Sequence, residues 1–326
     1  PYVRWLSANK AELLAVCDGE AVQTSLIVAD HTPLKHPCSS EVLTTLSDSA
    51  IVAPRSSFEG IEKFFAVSDV EGHLQNFTSI LQNQRIIDKN NRWIFGKGHL
   101  ILLGDMVDRG EFVTEVLWMI HRLEGEAQRA GGRVHYLIGN HELMTLEGDT
   151  RYLNEKYLNS TKALRLDYKE LFGPQTEFGR WLRTRNVIVR INDTLFVHAG
   201  LEPKFFSSNL SLTDINSKTQ QGMVDPELEK SDKDVEYLLN SKGPLWYRGY
   251  FKDLGLTGKE IGVVLNRFDA KRIAVGHTIV PEIESRYEGL VIAIDTSFSK
   301  KAKVQGLLFD QGQFWRASLS GARDPL

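Results

Sequence analysis

The sequence lacks the features on which several large classes of protein depend. Its 326 residues contain only two cysteines, Cys17 and Cys38, which are too few for a disulfide-built scaffold and lack zinc-site spacing. No apolar run approaches the ~18 to 20 residues that cross a bilayer, which excludes an integral membrane protein. The net charge of -3 leaves no basic excess for binding nucleic acid.

What is present is an ordinary globular composition. The chain is 42% hydrophobic and 25% charged, which excludes a disordered protein. Its length suits about two domains, or one large domain with an appendage. Residues 1–60 hold short β-type runs among Thr, Ser, Asp and Pro, and they predict a small β-rich N-terminal extension, with a partly ordered arm as the alternative. Residues 61–326 form the second, larger unit.

The cysteines and the first residue bear on the cellular compartment. The two thiols either form a disulfide in an oxidising compartment or stay free in the cytosol. The chain starts at Pro1 and not at Met, which indicates removal of an upstream segment by a signal peptidase or by cloning. We expect a periplasmic or secreted protein, with a cytoplasmic location as the alternative.

From residue 61 onward, short apolar runs alternate with helical patterns, which indicates an α/β fold. The clearest helix covers residues 111–130, where apolar residues recur at three- and four-residue steps and Gly131-Gly132 ends the pattern. Further helices are predicted at 73–84, 149–185 and 227–239. Strands are predicted at 64–68, 100–103, 134–138, 187–191, 194–197, 272–275, 290–294, 304–309 and 314–317.

Polar residues directly follow five of these strands. In α/β proteins the carboxyl ends of strands are where sites are built, and an adjacent glycine allows a sharp turn. Carboxylates, an amide and imidazoles together suit one or two divalent metal ions, which could activate a water and bind a phosphoryl group. The five segments are Asp69-Val70-Glu71-Gly72-His73, Gly104-Asp105-Met106-Val107-Asp108-Arg109-Gly110, Gly139-Asn140-His141-Glu142, His198-Ala199-Gly200 and Gly276-His277-Thr278.

In this order the five segments resemble the motifs of the calcineurin-like metallophosphoesterases, and within them the phosphoprotein phosphatase branch. Residues 110–152 and 243–251 are similar to the Shewanella-type cold-active protein (tyrosine) phosphatases. The resemblance covers residues from about 61 to 310. It implies the α/β metallophosphoesterase fold, with a central β-sandwich flanked by helices, for the catalytic domain at 61–326.

The resemblance also implies a set of metal ligands. Asp69 would bind the first metal ion and Asp105 would bridge the two ions. Asn140, His198 and His277 would bind the second ion. We expect two divalent ions. Manganese is the preferred assignment, and iron, zinc, magnesium and calcium are the alternatives.

Four further residues receive catalytic roles from the same resemblance. His141 would protonate the leaving oxygen and Asp108 would hold its imidazole, although Asp108 could instead cap the next helix. Arg109 would bind the phosphate, although it could instead pair with a surface carboxylate. Arg248 would be a second phosphate-binding arginine.

Glu71 departs from the general family pattern, which has histidine at this position. Residues i and i+2 at a strand end point to the same side, so Glu71 could reach the metal. A more anionic site of this kind would favour Mn²⁺, Mg²⁺ or Ca²⁺ over Zn²⁺. Alternatively, Glu71 only accepts a hydrogen bond from water on the metal. His73 is a further candidate ligand, but it should lie on the following helix and face elsewhere.

The expected activity is metal-dependent hydrolysis of phosphomonoesters on protein side chains, either phosphotyrosine or phosphoserine/threonine, or of small phosphomonoesters. A monomer that binds neither nucleic acid nor membrane is expected. The alternatives are a dinucleoside tetraphosphatase or phosphodiesterase on the same site, and a pseudoenzyme that binds phosphorylated partners without turnover. No Cys-x5-Arg loop is present, so a covalent cysteine mechanism is excluded.

Overall fold

The protein, seen here as a computed structural model, is described over residues 1–39, 41–206, 210–299 and 303–326. Two six-stranded sheets form its centre. The strands are β1 Tyr2–Ser7, β2 Lys10–Cys17, β3 Glu20–Ile27, β4 Thr32–Lys35, β5 Val42–Leu46, β6 Ser57–Phe58, β7 Lys63–Val67, β8 His99–Leu102, β9 Arg133–Tyr136, β10 Ile188–Ile191, β11 Thr194–Val197, β12 Arg272–Val275, β13 Glu284–Arg286, β14 Val291–Ala293, β15 Gln305–Asp310, β16 Gln313–Ser318 and β17 Arg323–Pro325.

Helices cover the outer faces of the two sheets. No helix among the residues described is long and apolar enough to cross a membrane. The helices are α1 Leu74–Asn83, α2 Val113–Arg129, α3 Asn140–Glu147, α4 Glu155–Leu164, α5 Tyr168–Leu171, α6 Glu177–Leu182, α7 Pro203–Phe206, α8 Leu212–Val224, α9 Leu228–Ser231, α10 Lys233–Leu239, α11 Gly249–Lys252 and α12 Gly258–Arg267.

Each central sheet contains a run of parallel strands. One sheet has the order β17-β16-β15-β7-β8-β9, in which β7, β8 and β9 are parallel. The other has the order β13-β14-β12-β11-β10-β6, in which β11, β12 and β14 are parallel. Because the carboxyl ends of parallel strands share an edge, the segments that follow these strands are brought together.

The central strands are predominantly apolar because both of their faces are covered. Phe64 and Ala66 of β7 face the other sheet, where the Phe64 ring meets Phe196 edge-on at a centroid distance of 5.2 Å. Phe65 and Val67 point the opposite way and join the core beneath the helices. This is the pattern of strands buried on both sides, and the predicted α/β sandwich fold is confirmed.

The structure corrects the predicted helices at 149–185 and 227–239. The first region contains α4, α5 and α6, because Arg165 adopts a left-handed conformation after α4 and Thr176 caps a new helix. The second is divided into α9 and α10, where the Asp232 side chain accepts hydrogen bonds from the first backbone N–H groups of α10. Prediction missed α3, α7, α8, α11 and α12, although Thr257 and Glu260 form a capping box at α12.

The first 46 residues form a three-stranded antiparallel sheet, β1 to β3, and the β4–β5 hairpin. This sheet is anchored to the larger unit by Trp5, whose Nε1 donates to Glu177 Oε2 at 2.7 Å. Its buried side chains belong to the same apolar core as the helices. A β-rich extension is therefore present in place of a partly ordered arm. The division at residue 60 stays a prediction, since β6 already pairs with β10 of the central sheet.

Cys17 and Cys38 form a disulfide within the extension, across a sequence separation of 21 residues. The bond joins the end of β2 to the segment between β4 and β5. We expect the double substitution Cys17→Ser/Cys38→Ser to lower the free energy of unfolding by about 3 kcal/mol, because it releases a loop of this length in the unfolded chain. Urea denaturation with and without reductant measures the effect. Reductant should destabilise the native protein and leave the double variant unchanged; equal midpoints for both proteins would contradict the prediction.

Candidate active site

The segments after the parallel strands surround an open cavity of about 500 Å³. Every site residue predicted from the sequence lines it except Asp108 and His198, which are fully buried directly behind the lining. The lining residues are Asp69, Glu71, Asp105, Arg109, Asn140, His141, Met144, Arg151, Tyr152, Trp246, Arg248, His277, Ile279, Asp295, Ser297 and Ser299.

The turns after β7 and β8 pack closely against each other. Asp69 N donates to Gly104 O at 3.1 Å, and Glu71 N donates to Asp105 O at 2.9 Å. Gly104 has a φ of +92°, and a Cβ added there would lie 2.4 Å from Gly139 N. Only glycine suits both the conformation and the close approach. Sequence and backbone geometry together therefore place Asp69 and Asp105 side by side.

Glu142 holds the turn after β8 against the start of α3. Its Oε2 accepts from Asp105 N and from Gly139 N, both at 2.7 Å. Its Oε1 accepts from Met106 N at 2.7 Å and from the Tyr136 hydroxyl at 2.9 Å. The carboxylate is fully buried. Three of its hydrogen bonds come from backbone N–H groups and the fourth comes from the Tyr136 hydroxyl. Glu142 thus fixes Asp105 relative to the residues that begin α3.

Four side-chain atoms that can act as metal ligands meet on the floor of the cavity. His198 Nε2 lies 3.0 Å from Asn140 Oδ1, 3.2 Å from His277 Nδ1 and 3.2 Å from Asp105 Oδ2. Asp105, His198 and His277 place one ligand atom each within 4.8 Å of the others. Nitrogen and oxygen atoms that converge in this way suit the coordination of a divalent cation.

The protonation of His198 supports this interpretation. Its Nδ1 lies 2.7 Å from Leu103 O and can only donate to it, which directs Nε2 at the cluster. Burial lowers the pKa of His198, but the adjacent Asp105 outweighs burial and raises the pKa to about 10. In the metal-free chain Nε2 therefore holds a proton, and a cation bound at the cluster would take the place of that proton. His277, by contrast, has its pKa lowered to about 2 by burial and by His198.

Asp69 and Asp295 line the same cavity as Asp105. Asp69 Oδ2 accepts hydrogen bonds from Ser68 Oγ and, at 3.0 Å, from His277 N. Burial raises the pKa of Asp69. Burial and then the Asp69 charge raise the pKa of Asp295 well above its ordinary value. Several carboxylates thus face one cavity, an arrangement that a bound cation would stabilise.

Glu71 forms an ion pair with the guanidinium of Arg109. Burial and the neighbouring Asp69 raise the pKa of Glu71 to about 8, against the opposing effect of Arg109. Arg109 therefore pairs with a carboxylate of the cavity and not with a remote surface carboxylate. His73 lies at the N-terminus of α1 and does not line the cavity, as expected.

His141 is paired with Asp108 as the motif comparison implied. Its Nδ1 lies 2.6 Å from Asp108 Oδ2, and its Nε2 lies 3.8 Å from Asp105 Oδ2. Burial lowers the pKa of His141, but the Asp108 hydrogen bond and the Asp105 charge outweigh burial and raise it. Asp108 does not cap α2, whose N-cap is Phe112.

Arg248 reaches the cavity from the segment before α11. Its Nη1 donates to His277 O at 2.8 Å and to Thr278 Oγ1 at 2.9 Å. These bonds use one nitrogen of the guanidinium and hold the group beside His277. The remaining N–H groups are left to bind an anion.

Sequence reasoning assigned no role to Glu142, Asp295, Arg151 or Tyr152. Asp295 could have been found, since it directly follows the predicted strand at 290–294; it lacks only the adjacent glycine of the other segments. Tyr152 lies beneath Arg109, with the guanidinium carbon 5.0 Å from the ring centroid. No strand precedes Arg151 or Tyr152, so the pattern of polar strand ends could not indicate them.

Comparison with known proteins gives concordant matches. Residues 62–281 match the family described as calcineurin-like phosphoesterase. Shewanella-like protein phosphatase 1 of Plasmodium berghei is 29% identical over 250 residues, which are 73% of this chain and 67% of that protein. The resemblance inferred from the motifs is confirmed.

Two solved structures show the same fold. The cold-active protein-tyrosine phosphatase of a psychrophilic Shewanella species superposes with a TM-score of 0.92 at 34% identity, over 99% of this chain and 98% of that one. A protein serine/threonine phosphatase of Saccharomyces cerevisiae superposes with a TM-score of 0.52 at 16% identity, over 79% of this chain and 76% of that one. The second likeness concerns the fold alone.

The hydrogen bonds of Glu142 lead to a prediction about stability. In Glu142→Gln one carboxylate oxygen becomes an amide NH₂ that faces backbone donors. We expect a loss of roughly 3–5 kcal/mol in the free energy of unfolding, because buried donors lose their acceptor. Glu147→Gln, on the exposed end of the same helix, is the matched control. Urea denaturation of both variants makes the comparison, and equal stability of the two would show that Glu142 does not hold the turn.

Proposed function

Since the chain belongs to the calcineurin-like phosphoesterases, a family of metal-dependent phosphoesterases, we propose that it removes phosphate from protein side chains. The proposed substrates are protein phosphotyrosine, phosphoserine or phosphothreonine. Small phosphomonoesters would serve as substrates in vitro. One observation carries the proposal: Asp105, Asn140 and His277, which cluster around the buried His198, line the same cavity as His141 and Arg109. The names of the protein phosphatases to which this chain is similar support the choice of substrate.

The proposed cofactor is a pair of divalent ions, manganese before iron, zinc, magnesium or calcium. Asn140, His198 and His277 would hold one ion, Asp69 the other, and Asp105 both. Ions held there would supply Lewis acidity, which lowers the pKa of an attacking water and offsets the charge of the phosphate. Asp105 suits the shared position because its Oδ1 is fixed by His141 N at 2.9 Å while Oδ2 faces the cluster.

His141 is the proposed acid for the leaving oxygen. Because Asp108 accepts a hydrogen bond from Nδ1, the proton at Nε2 is the one directed toward the cavity. The same carboxylate fixes the plane of the ring and stabilises its charged form. His141 can therefore hold a proton until the ester oxygen carries negative charge.

Arg109 and Arg248 are the proposed phosphate-binding residues. They approach the cavity from opposite sheets, Arg109 after β8 and Arg248 beside the end of β12. A planar guanidinium can bind two phosphate oxygens at once. Arg109 is paired with Glu71. An incoming phosphate would therefore either bind Arg109 together with Glu71 or replace Glu71 as the partner of Arg109.

Location and assembly are also proposals. The Cys17–Cys38 disulfide supports a periplasmic or secreted protein, since such bonds persist in oxidising compartments. We further propose a monomer that needs neither nucleic acid nor membrane, in keeping with the net charge of -3.

Metal removal and replacement test the proposed reaction. The protein is stripped with chelator and titrated with Mn²⁺ while hydrolysis of p-nitrophenyl phosphate and bis-p-nitrophenyl phosphate is followed. We expect Mn²⁺ to restore activity on the monoester at a rate well above that on the diester. Phosphotyrosine and phosphoserine peptides, assayed by phosphate release, then define the side chain.

Other outcomes of this titration select the alternatives. Faster hydrolysis of the diester, or of a dinucleoside polyphosphate, would favour a phosphodiesterase or dinucleoside tetraphosphatase. Bound Mn²⁺ with no turnover of any ester would favour a protein that only binds phosphorylated partners.

The assigned role of His141 predicts a dependence on the leaving group. His141→Ala should keep both metal ions and lose roughly 10²–10⁴-fold in kcat on phenyl phosphate, as is typical for removal of a general acid. The loss should be much smaller on 2,4-dinitrophenyl phosphate, whose leaving group needs no proton. The control is His31→Ala, at an exposed position of the extension. Loss of the metal ions, or an equal loss on both esters, would show that the role is wrong.

A further inference from the structure

Asp295 follows a sixth strand that ends at the cavity. It comes directly after β14 and Ile294, and β14 lies parallel to β12, which carries His277 at its end. Ile294 N donates to Val275 O at 2.8 Å, and Val280 N donates to Asp295 O at 2.8 Å. Asp295 is therefore held beside the segment that carries His277. Its side chain lines the cavity although the residue is only 1% exposed.

Three buried aspartates of the cavity share one hydrogen-bonding arrangement. His277 N donates to Asp69 Oδ2 at 3.0 Å, and His141 N donates to Asp105 Oδ1 at 2.9 Å. Ser297 N donates to Asp295 Oδ1 at 2.9 Å. In each case a backbone N–H fixes one oxygen, and no backbone group of the described residues donates to the other. Asp295 thus shares with the two proposed aspartate ligands a carboxylate of which only one oxygen is held by a backbone N–H, although its donor lies two residues on in the same turn.

The backbone around Asp295 is built to keep this orientation. Ser297, whose N–H donates to the carboxylate, has a φ of +61°. Residues other than glycine seldom adopt this backbone conformation. Thr296 Oγ1 accepts from Gln305 N at 3.1 Å, which attaches the turn to β15 of the opposite sheet. A surface turn would not need such restraint.

Glu71 is less suited than Asp295 to bind the first metal ion. It occupies the position at which the general family pattern has an imidazole ligand, but its carboxylate is engaged by Arg109. A first metal ion held by Asp69 and Asp105 alone would have few protein ligands. A further buried carboxylate with one oxygen left for the cavity supplies the missing one.

We propose that Asp295 is a ligand of the first metal ion, in place of the family's imidazole, and that Glu71 instead positions Arg109. The inference rests on the proposed dinuclear site. An oxygen-only first site of this kind suits hard ions such as Mn²⁺ or Mg²⁺ better than Zn²⁺.

The test is metal binding by Asp295→Asn, which keeps the acceptor for Ser297 N and removes the charge. Chelator-stripped protein is titrated with Mn²⁺ and bound metal is counted by elemental analysis, with electron paramagnetic resonance to detect a coupled pair of ions. We expect two ions and a coupled signal for the native chain. We expect one ion, or at least ten-fold weaker binding of the other, and no coupled signal for the variant.

Asp253→Asn is the matched control, because Asp253 makes the same turn in an exposed place, with Gly255 N donating to its Oδ1 at 2.9 Å. It should bind two ions with native affinity. Glu71→Gln should also keep two ions. If Glu71→Gln loses an ion and Asp295→Asn does not, Glu71 is the ligand and the proposal is wrong.

Thermal melting of the metal-free proteins separates a metal ligand from a structural residue. Removing one of several clustered carboxylates should leave the metal-free melting temperature of Asp295→Asn equal to or above that of the native chain, while Mn²⁺ stabilises the variant less. A lower metal-free melting temperature would assign Asp295 to the turn alone and overturn the proposal. Failure of the native chain to bind two ions would instead overturn the dinuclear site itself.

Discussion

The hydrogen bonds of the Glu142 carboxylate are the constraint on which the rest of the site depends. They join the turn after β8 to the first residue before α3, so that Asp105 and His141 belong to one rigid unit. Three of the four donors are backbone N–H groups, which no rotation of a side chain can remove. Buried hydrogen bonds of this kind orient the groups that contact a ligand. The geometry at Asp105 is therefore set before any ion or phosphate arrives.

The site carries an energetic cost that the sandwich must offset. Asp69, Asp105 and Asp295 are almost completely buried, and all three line the cavity. Buried carboxylates without a counter-charge destabilise a fold. The apolar faces of both sheets oppose this, because every central strand is covered on two sides. Charged side chains are seldom buried, so a cluster of buried carboxylates at one edge of the sheets marks a functional site.

The sequence predicted the buried strands and the motif residues at their ends, but it missed α12 despite its local capping box and it missed contacts between distant residues. The runs at 64–68 and 100–103 predicted buried strands because continuous apolar residues suit a strand covered on both faces. The ordered motifs predicted the cavity residues because each motif lies at a strand end. The role of Glu142 could not be predicted, since its partners Asp105 and Met106 lie 37 and 36 residues away.

The two sheets contribute different halves of the site, so the packing between the sheets affects the geometry of the site. Asp69 and Asp105 follow strands of one sheet, whereas His277 and Asp295 follow strands of the other. The distance between these pairs is set by the side chains packed between the sheets, such as the Phe64–Phe196 contact. Because protein interiors are close-packed, a change of volume there is transmitted as a shift of the sheets. Metal affinity should therefore depend on residues of this core that touch no ion.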